Sequence, residues 1–86
     1  MTEAVPQQIH AKITQIARQL GNDANHLGVD DNIPASGLID SAGIMELIFW
    51  FEAEYELSIP QQDLTVDNLG TISAMSSYLK RAQNQV

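Results

Sequence analysis

Apolar residues recur along this chain at helical spacing, and nowhere at the alternating spacing of a strand. Ile9, Ile13, Ile16 and Leu20 follow one another by four, three and four residues. That is one face of an amphipathic helix. Pro6 suits its first turn and Gly21 its C-terminal cap. His10, Lys12, Gln15 and Arg18 fall largely on the other faces, with His10 read as a solvated helix residue. A second helix covers Ala42–Glu56 and starts at Asp40 or Ser41. Ile44, Leu47, Ile48, Phe51 and Tyr55 share its core face at about 100° per residue. Ala42, Met45 and Phe49 lie on one flank, towards Ser41, and Trp50 on the other. A third helix is capped by Thr71 and carries Ile72, Met75, Leu79 and Ala82 on one face. Lys80 and Arg81 near its end complement its dipole.

The connections carry fewer signals. Asn22 to Ser36 is a loop rich in Asn, Asp, Gly and Pro, with Leu27, Val29, Ile33 and Leu38 as the residues that would pin it. Ser58-Ile59-Pro60 is extended, because the residue before proline avoids the helical region. A helical turn is expected at Pro60–Leu64 and a second short piece at Val66–Leu69, before Gly70 breaks the chain. Met1–Val5 is expected to fray and Gln83–Val86 to be loose. The pattern predicts an all-α fold, with three principal helices and one short helix around one core. A single domain over 1–86, ordered from about 6 to 82, follows from that core.

Composition narrows the function classes. The chain has 86 residues, 44% of them hydrophobic, and no cysteine. There is thus no disulfide framework and no thiol nucleophile. No apolar run approaches the roughly 20 residues that span a bilayer, and the N-terminus lacks a signal pattern; a cytoplasmic protein is expected. The net charge is −7. Lys12, Arg18, Lys80 and Arg81 are the only basic residues, so the middle of the chain holds every acid but Glu3 and no base. Nucleic acid and anionic membranes are therefore excluded as partners, since phosphate contacts need Lys and Arg. A one-sign field instead favours and steers basic partners.

Candidate chemistry is sparse. Asp23-x-Asn25 begins like a calcium loop, but Leu27 and Pro34 stand where oxygen ligands are required. Asp30 and Asp31 read as solvated turn residues, and no other set has metal-ligand spacing. The informative stretch is Gly37-Leu38-Ile39-Asp40-Ser41, directly before the second helix. Asp40 and Ser41 are both N-cap candidates. One cap suffices, which leaves the other side chain free at the positive end of a helix, a good place for a phosphate. Ser41 is no nucleophile elbow, because Ile39 replaces the first glycine of Gly-x-Ser-x-Gly.

That stretch resembles the phosphopantetheine-attachment site of acyl, aminoacyl and peptidyl carrier proteins, and the resemblance runs from about Pro6 to Lys80. It implies a small four-helix bundle of the acyl-carrier type, a non-catalytic monomer, and covalent 4′-phosphopantetheine on Ser41, taken from coenzyme A by a phosphopantetheinyl transferase. Asp40 would help place that transferase. An activating ligase would then load an acyl or aminoacyl group as a thioester for downstream enzymes. The helix after Ser41 would be their docking element, with Ala42, Ile44, Met45, Glu46, Phe49 and Glu52 as contacts and Asp40, Glu46, Glu52 and Glu54 ringing the serine. Gly-Leu-Ile-Asp-Ser-x-Gly looks more like D-alanyl and stand-alone aminoacyl carriers than fatty-acid or polyketide carriers, which usually have leucine where Ala42 stands. The bulk of Phe49, Trp50 and Phe51 would also leave less internal room for a long acyl chain. The competing reading from another class is an acidic helical adaptor in which Ser41 is only a cap.

Overall fold

The computed structural model describes residues 4–84. The expected frayed start at Met1–Glu3 and loose end at Gln85–Val86 lie outside the described residues. Helix α1 spans Val5–Gln19, α2 Ile33–Ser36, α3 Ser41–Tyr55, α4 Val66–Leu69 and α5 Ile72–Gln83, with a 3₁₀ turn at Gln61–Asp63. No strand occurs among the described residues. The architecture is all-helical, with three main helices, as the periodicity predicts. Helix α1 packs on α3 and α5, and α4 packs on α5.

The three long helices meet on the predicted faces. Ile9, Ile13 and Ile16 of α1, Leu47 and Phe51 of α3, and Ile72, Met75 and Leu79 of α5 are all buried. Two small residues join them, Ala17 and Ala24. Val5 and Gln83, expected to be loose, are helical instead. Helix α1 starts one residue before Pro6, where Gln7 Oε1 accepts from the Ala4 N–H at 3.3 Å. Leu20 departs from its expected face and is exposed. The chain turns left-handed at Gly21, φ +79°. The Asn22 N–H then donates to Ala17 O at 2.8 Å and the Gly21 N–H to Arg18 O at 3.0 Å. This double bond pattern ends the helix before Leu20 can reach the core.

The long loop is held chiefly by hydrogen bonds. His10 Nε2 donates to Ala24 O at 2.8 Å, so this histidine is a tether between α1 and the loop and not a solvated residue. The Ile33 N–H donates to Gly70 O at 2.8 Å, and the Ser73 N–H to Val29 O at 2.9 Å. Ile33 is buried as a pin, and Leu27 and Leu38 are half-buried. Val29 is exposed and anchors the loop through its carbonyl. Helix α2 interrupts what reads as loop in the sequence. Asn32 Oδ1 caps it by accepting from the Ala35 N–H at 2.9 Å. Asp31 is engaged as a turn residue, its Oδ2 accepting from the Gly28 N–H at 2.7 Å.

The 3₁₀ turn is bound to both following helices. Asn68 Nδ2 donates to Asp63 O at 3.1 Å, and the Tyr78 hydroxyl donates to Asp63 Oδ2 at 2.8 Å. Burial, followed by the bond to Asp63, raises the Tyr78 pKa above its ordinary value. The Tyr55 hydroxyl ties α3 to Gln8 of α1, and burial likewise raises its pKa, with Glu54 adding to the effect. Both phenols therefore remain protonated donors at neutral pH.

Helix α3 ends on Glu56, which adopts φ +55°. A non-glycine residue pays about 1–2 kcal/mol for that conformation, offset in part by the extra unfolded-state freedom of glycine. Glu56→Gly is expected to stabilise the protein by about 0.5–1 kcal/mol, which is a midpoint rise of about 2–8 °C for a domain of this size. Thermal unfolding followed by circular dichroism checks it; an unchanged or lower midpoint refutes it.

Candidate functional site

The start of α3 is built by Asp40. Its backbone is extended, φ −89° and ψ −177°, and its Oδ1 accepts from the Gly43 N–H at 2.7 Å. Its carbonyl accepts from the Ile44 N–H at 2.8 Å. Asp40 is therefore the cap, and Ser41 is the first helical residue. The Ser41 hydroxyl is exposed and makes no hydrogen bond among the described residues. The N–H groups of Ser41 and Ala42 likewise have no acceptor there. An unbonded hydroxyl thus stands beside two unpaired backbone donors at the positive end of a 15-residue helix. That arrangement suits a phosphate diester on Ser41 Oγ.

Two neighbours fix the serine's position. A Cβ on Gly43 would stand 2.9 Å from Ile16 Cγ2 and 3.2 Å from Asp40 Oδ1. Only glycine lets α1 press against the first turn of α3 while the cap forms. Behind the turn, Ile39 is buried, and Asn22 Nδ2 donates to Leu38 O at 2.9 Å. The approach to Ser41 therefore rests on the end of α1. A shallow cleft of about 150 Å³ beside it is lined by Ile16, Gln19, Leu20, Asp40, Ala42, Gly43 and Glu46. It holds no histidine or lysine.

The other predicted residues separate into two groups. Ala42, Met45, Glu46 and Phe49 form one exposed stripe down α3, with Phe49 60% and Met45 41% exposed. Ordinary core filling does not account for these two. Ile44 is half-buried and turns away from the stripe. Glu52 is drawn aside as well, its Oε2 accepting from the Ile59 N–H at 2.9 Å. Glu52 and Glu54 lie more than ten residues beyond Ser41, about 16–20 Å along the helix, so they do not ring the serine. Leu64 and Val66 are exposed apolar residues not singled out in the sequence. Their signal is weak: Leu64 ends the 3₁₀ turn and Val66 opens α4, pieces too short to show a buried face.

An open apolar groove of about 240 Å³ lies one turn below Ser41. Ile44, Met45 and Ile48 line one wall, and Leu64, Val66 and Leu69 belong to the other. The three aromatics do not crowd it. Phe49 points outward, Phe51 is buried in the core, and Trp50 lines a separate cleft with Gln8, Ala11 and Lys12 of α1. Phe51 takes interior space as expected, whereas Phe49 takes none.

Comparison with known proteins identifies the family. The family described as the phosphopantetheine attachment site matches residues 13–79. A protein named acyl carrier protein from Bdellovibrio bacteriovorus is 32% identical over 74 residues, covering 85% of this chain and 92% of its own length. The chain belongs to the phosphopantetheine-binding carrier-protein family. The prosthetic group of such a carrier is covalent 4′-phosphopantetheine. Carriers of this family are in general non-catalytic. Among the described residues, no helix of this carrier is long and apolar enough to cross a membrane.

Proposed function

We propose that Ser41 is the attachment residue, and that the protein carries an aminoacyl group as a thioester and presents it to partner enzymes. The observation that carries this reading is the division of labour at α3: Asp40 does the capping, and Ser41 keeps an unpaired, exposed hydroxyl. A serine needed only as a cap would be bonded to Gly43 or Ile44. In the modification step, Ser41 Oγ forms a bond to the pantetheine-side phosphorus of coenzyme A. The phosphoanhydride bond breaks, and the nucleotide half leaves. The serine proton passes to a base of the transferase. The unpaired N–H groups of Ser41 and Ala42 then face the diester. The bound group supplies a thiol on a flexible arm, and the protein supplies an address and a high local concentration of cargo.

Asp40 serves this step by placing Ser41 and by offering its carboxylate's outer face to the transferase. The exposed stripe of Ala42, Met45, Glu46 and Phe49 serves as the docking face for basic partners, namely the transferase, a loading ligase and the enzymes that accept the cargo. Residues 1–86 act as one monomeric carrier domain in the cytoplasm. The Gly-Leu-Ile-Asp-Ser-x-Gly arrangement supports aminoacyl cargo. So does the size of the groove, which falls below the roughly 300–1,000 Å³ of typical ligand pockets. The groove's apolar walls favour the second reading, a short acyl chain laid against Ile44, Ile48 and Leu69.

Intact mass before and after incubation with coenzyme A and a broad-specificity phosphopantetheinyl transferase tests the reading. A gain of one phosphopantetheine is expected. No gain on folded protein, with the transferase active on another carrier, would overturn it in favour of the adaptor. For the cargo, loading with alanyl and then octanoyl arms distinguishes the two. Octanoyl alone shifting the methyl resonances of Ile44, Ile48 and Leu69 would favour the acyl reading; no shift with either keeps the aminoacyl reading.

A further inference from the structure

Across the docking stripe lies one cation. Lys12 Nζ of α1 sits 3.5 Å from Glu46 Oε2, and among the described residues this is the one ion pair between side chains. The same ammonium donates to Gln15 Oε1 at 3.3 Å. The Lys12 side chain is only 16% exposed, whereas that of Glu46 is 47% exposed. The lysine stem is therefore packed, and its head is held over the α1–α3 boundary by two acceptors. In a chain of charge −7 with four basic residues, this placement puts one of those four cations against a residue of the docking face.

We propose that Lys12 is a built-in competitor for Glu46, and that it sets how strongly a Lys- or Arg-bearing partner surface grips the first half of α3. The inference rests on the reading of α3 as the docking face. An incoming cation meets a paired carboxylate, whose field falls off faster with distance than that of a free one. To bind Glu46 fully, it must take the place of Lys12 or share the carboxylate with it. At 3.5 Å, with the Glu46 carboxylate half-exposed, the contact is weak enough to be exchanged, since ion pairs open to water contribute no more than about a fivefold change in an equilibrium constant. Lys12 thus tempers partner binding without blocking it. The alternative is that Lys12 only staples α1 to α3, or acts only through net charge.

Lys12→Met keeps the packed stem and removes the charge. Lys80→Met makes the same charge change at the far end of α5. Lys12→Arg keeps the charge in place. Two readouts are taken: the apparent KM of each variant as substrate for the transferase, and the affinity for hexalysine followed at the Glu46 amide by NMR. Lys12→Met is expected to lower KM and tighten hexalysine about two- to fivefold. Lys80→Met should do clearly less, and Lys12→Arg should match the native chain. Added to Glu46→Gln, Lys12→Met should give no further gain. Equal effects from Lys12→Met and Lys80→Met, or no tightening in a variant with a native thermal midpoint, would overturn the proposal. If the native chain gains no phosphopantetheine, the carrier reading fails separately, and the hexalysine titration still decides the role of Lys12.

Discussion

Ser41→Ala is expected to abolish phosphopantetheine incorporation outright and to leave the fold intact. The two halves of that result follow from different features of the same turn. The Ser41 hydroxyl is exposed and bonded to nothing among the described residues, so its removal breaks no contact. A stability change within about 0.5 kcal/mol is expected from urea unfolding. Asp40→Ala should show the reverse pattern. It deletes the acceptor that holds the Gly43 N–H at 2.7 Å and should cost about 0.5–2 kcal/mol. Asp40→Asn separates capping from charge, because asparagine caps as well as aspartate does. Near-native stability with slower modification would show that the carboxylate itself faces the transferase. If instead Ser41→Ala were modified as fast as the native chain, another residue would hold the arm. If it were modified at no rate but lost more than about 2 kcal/mol, Ser41 would have a structural role that the free hydroxyl does not suggest.

The parts of this site that were legible in the sequence are those governed by local chemistry. A short polar pair before an apolar helix limits the cap to two residues, and geometry then assigns it to Asp40. The core faces of α1, α3 and α5 were legible because burial repeats every three or four residues. The misses share a different cause. Leu20 follows the apolar spacing perfectly, but the left-handed turn at Gly21 stops the helix one residue too early to use it. His10 and Glu52 look like surface residues on a helical wheel. Each is captured by a backbone group beyond the end of its own helix, Ala24 O and the Ile59 N–H, which no periodicity encodes. Ala17 and Ala24 are buried without any hydrophobic signature, since methyl side chains serve close approach and not bulk. The groove beneath Ser41 arises from α3 meeting α4 and Leu64, a tertiary event that the separate segments do not reveal.

Two aromatic residues, Phe49 and Phe51, give the sharpest test of how α3 is oriented. They stand two positions apart, about 200° around the helix. Phe51 is fully buried, with its ring centroid 5.3 Å from that of Tyr55 in an edge-to-face contact. Phe51→Ala would leave a cavity where α3 meets the core and weaken the neighbour that links α3 to Gln8. The expected cost is about 3–5 kcal/mol, against a total of about 5–15 kcal/mol for a domain. The urea midpoint should fall by a large fraction with little change in slope. Phe49→Ala removes a ring that is 60% exposed and should change stability by no more than about 0.5 kcal/mol. Its effect should appear in the apparent KM of the transferase, which rises if Phe49 lies on the docking face. The contrast matters more than either number. Comparable losses of stability from the two variants would mean that α3 is rotated about its axis, and the stripe of Ala42, Met45, Glu46 and Phe49 would then lose its claim to be the surface that partners meet.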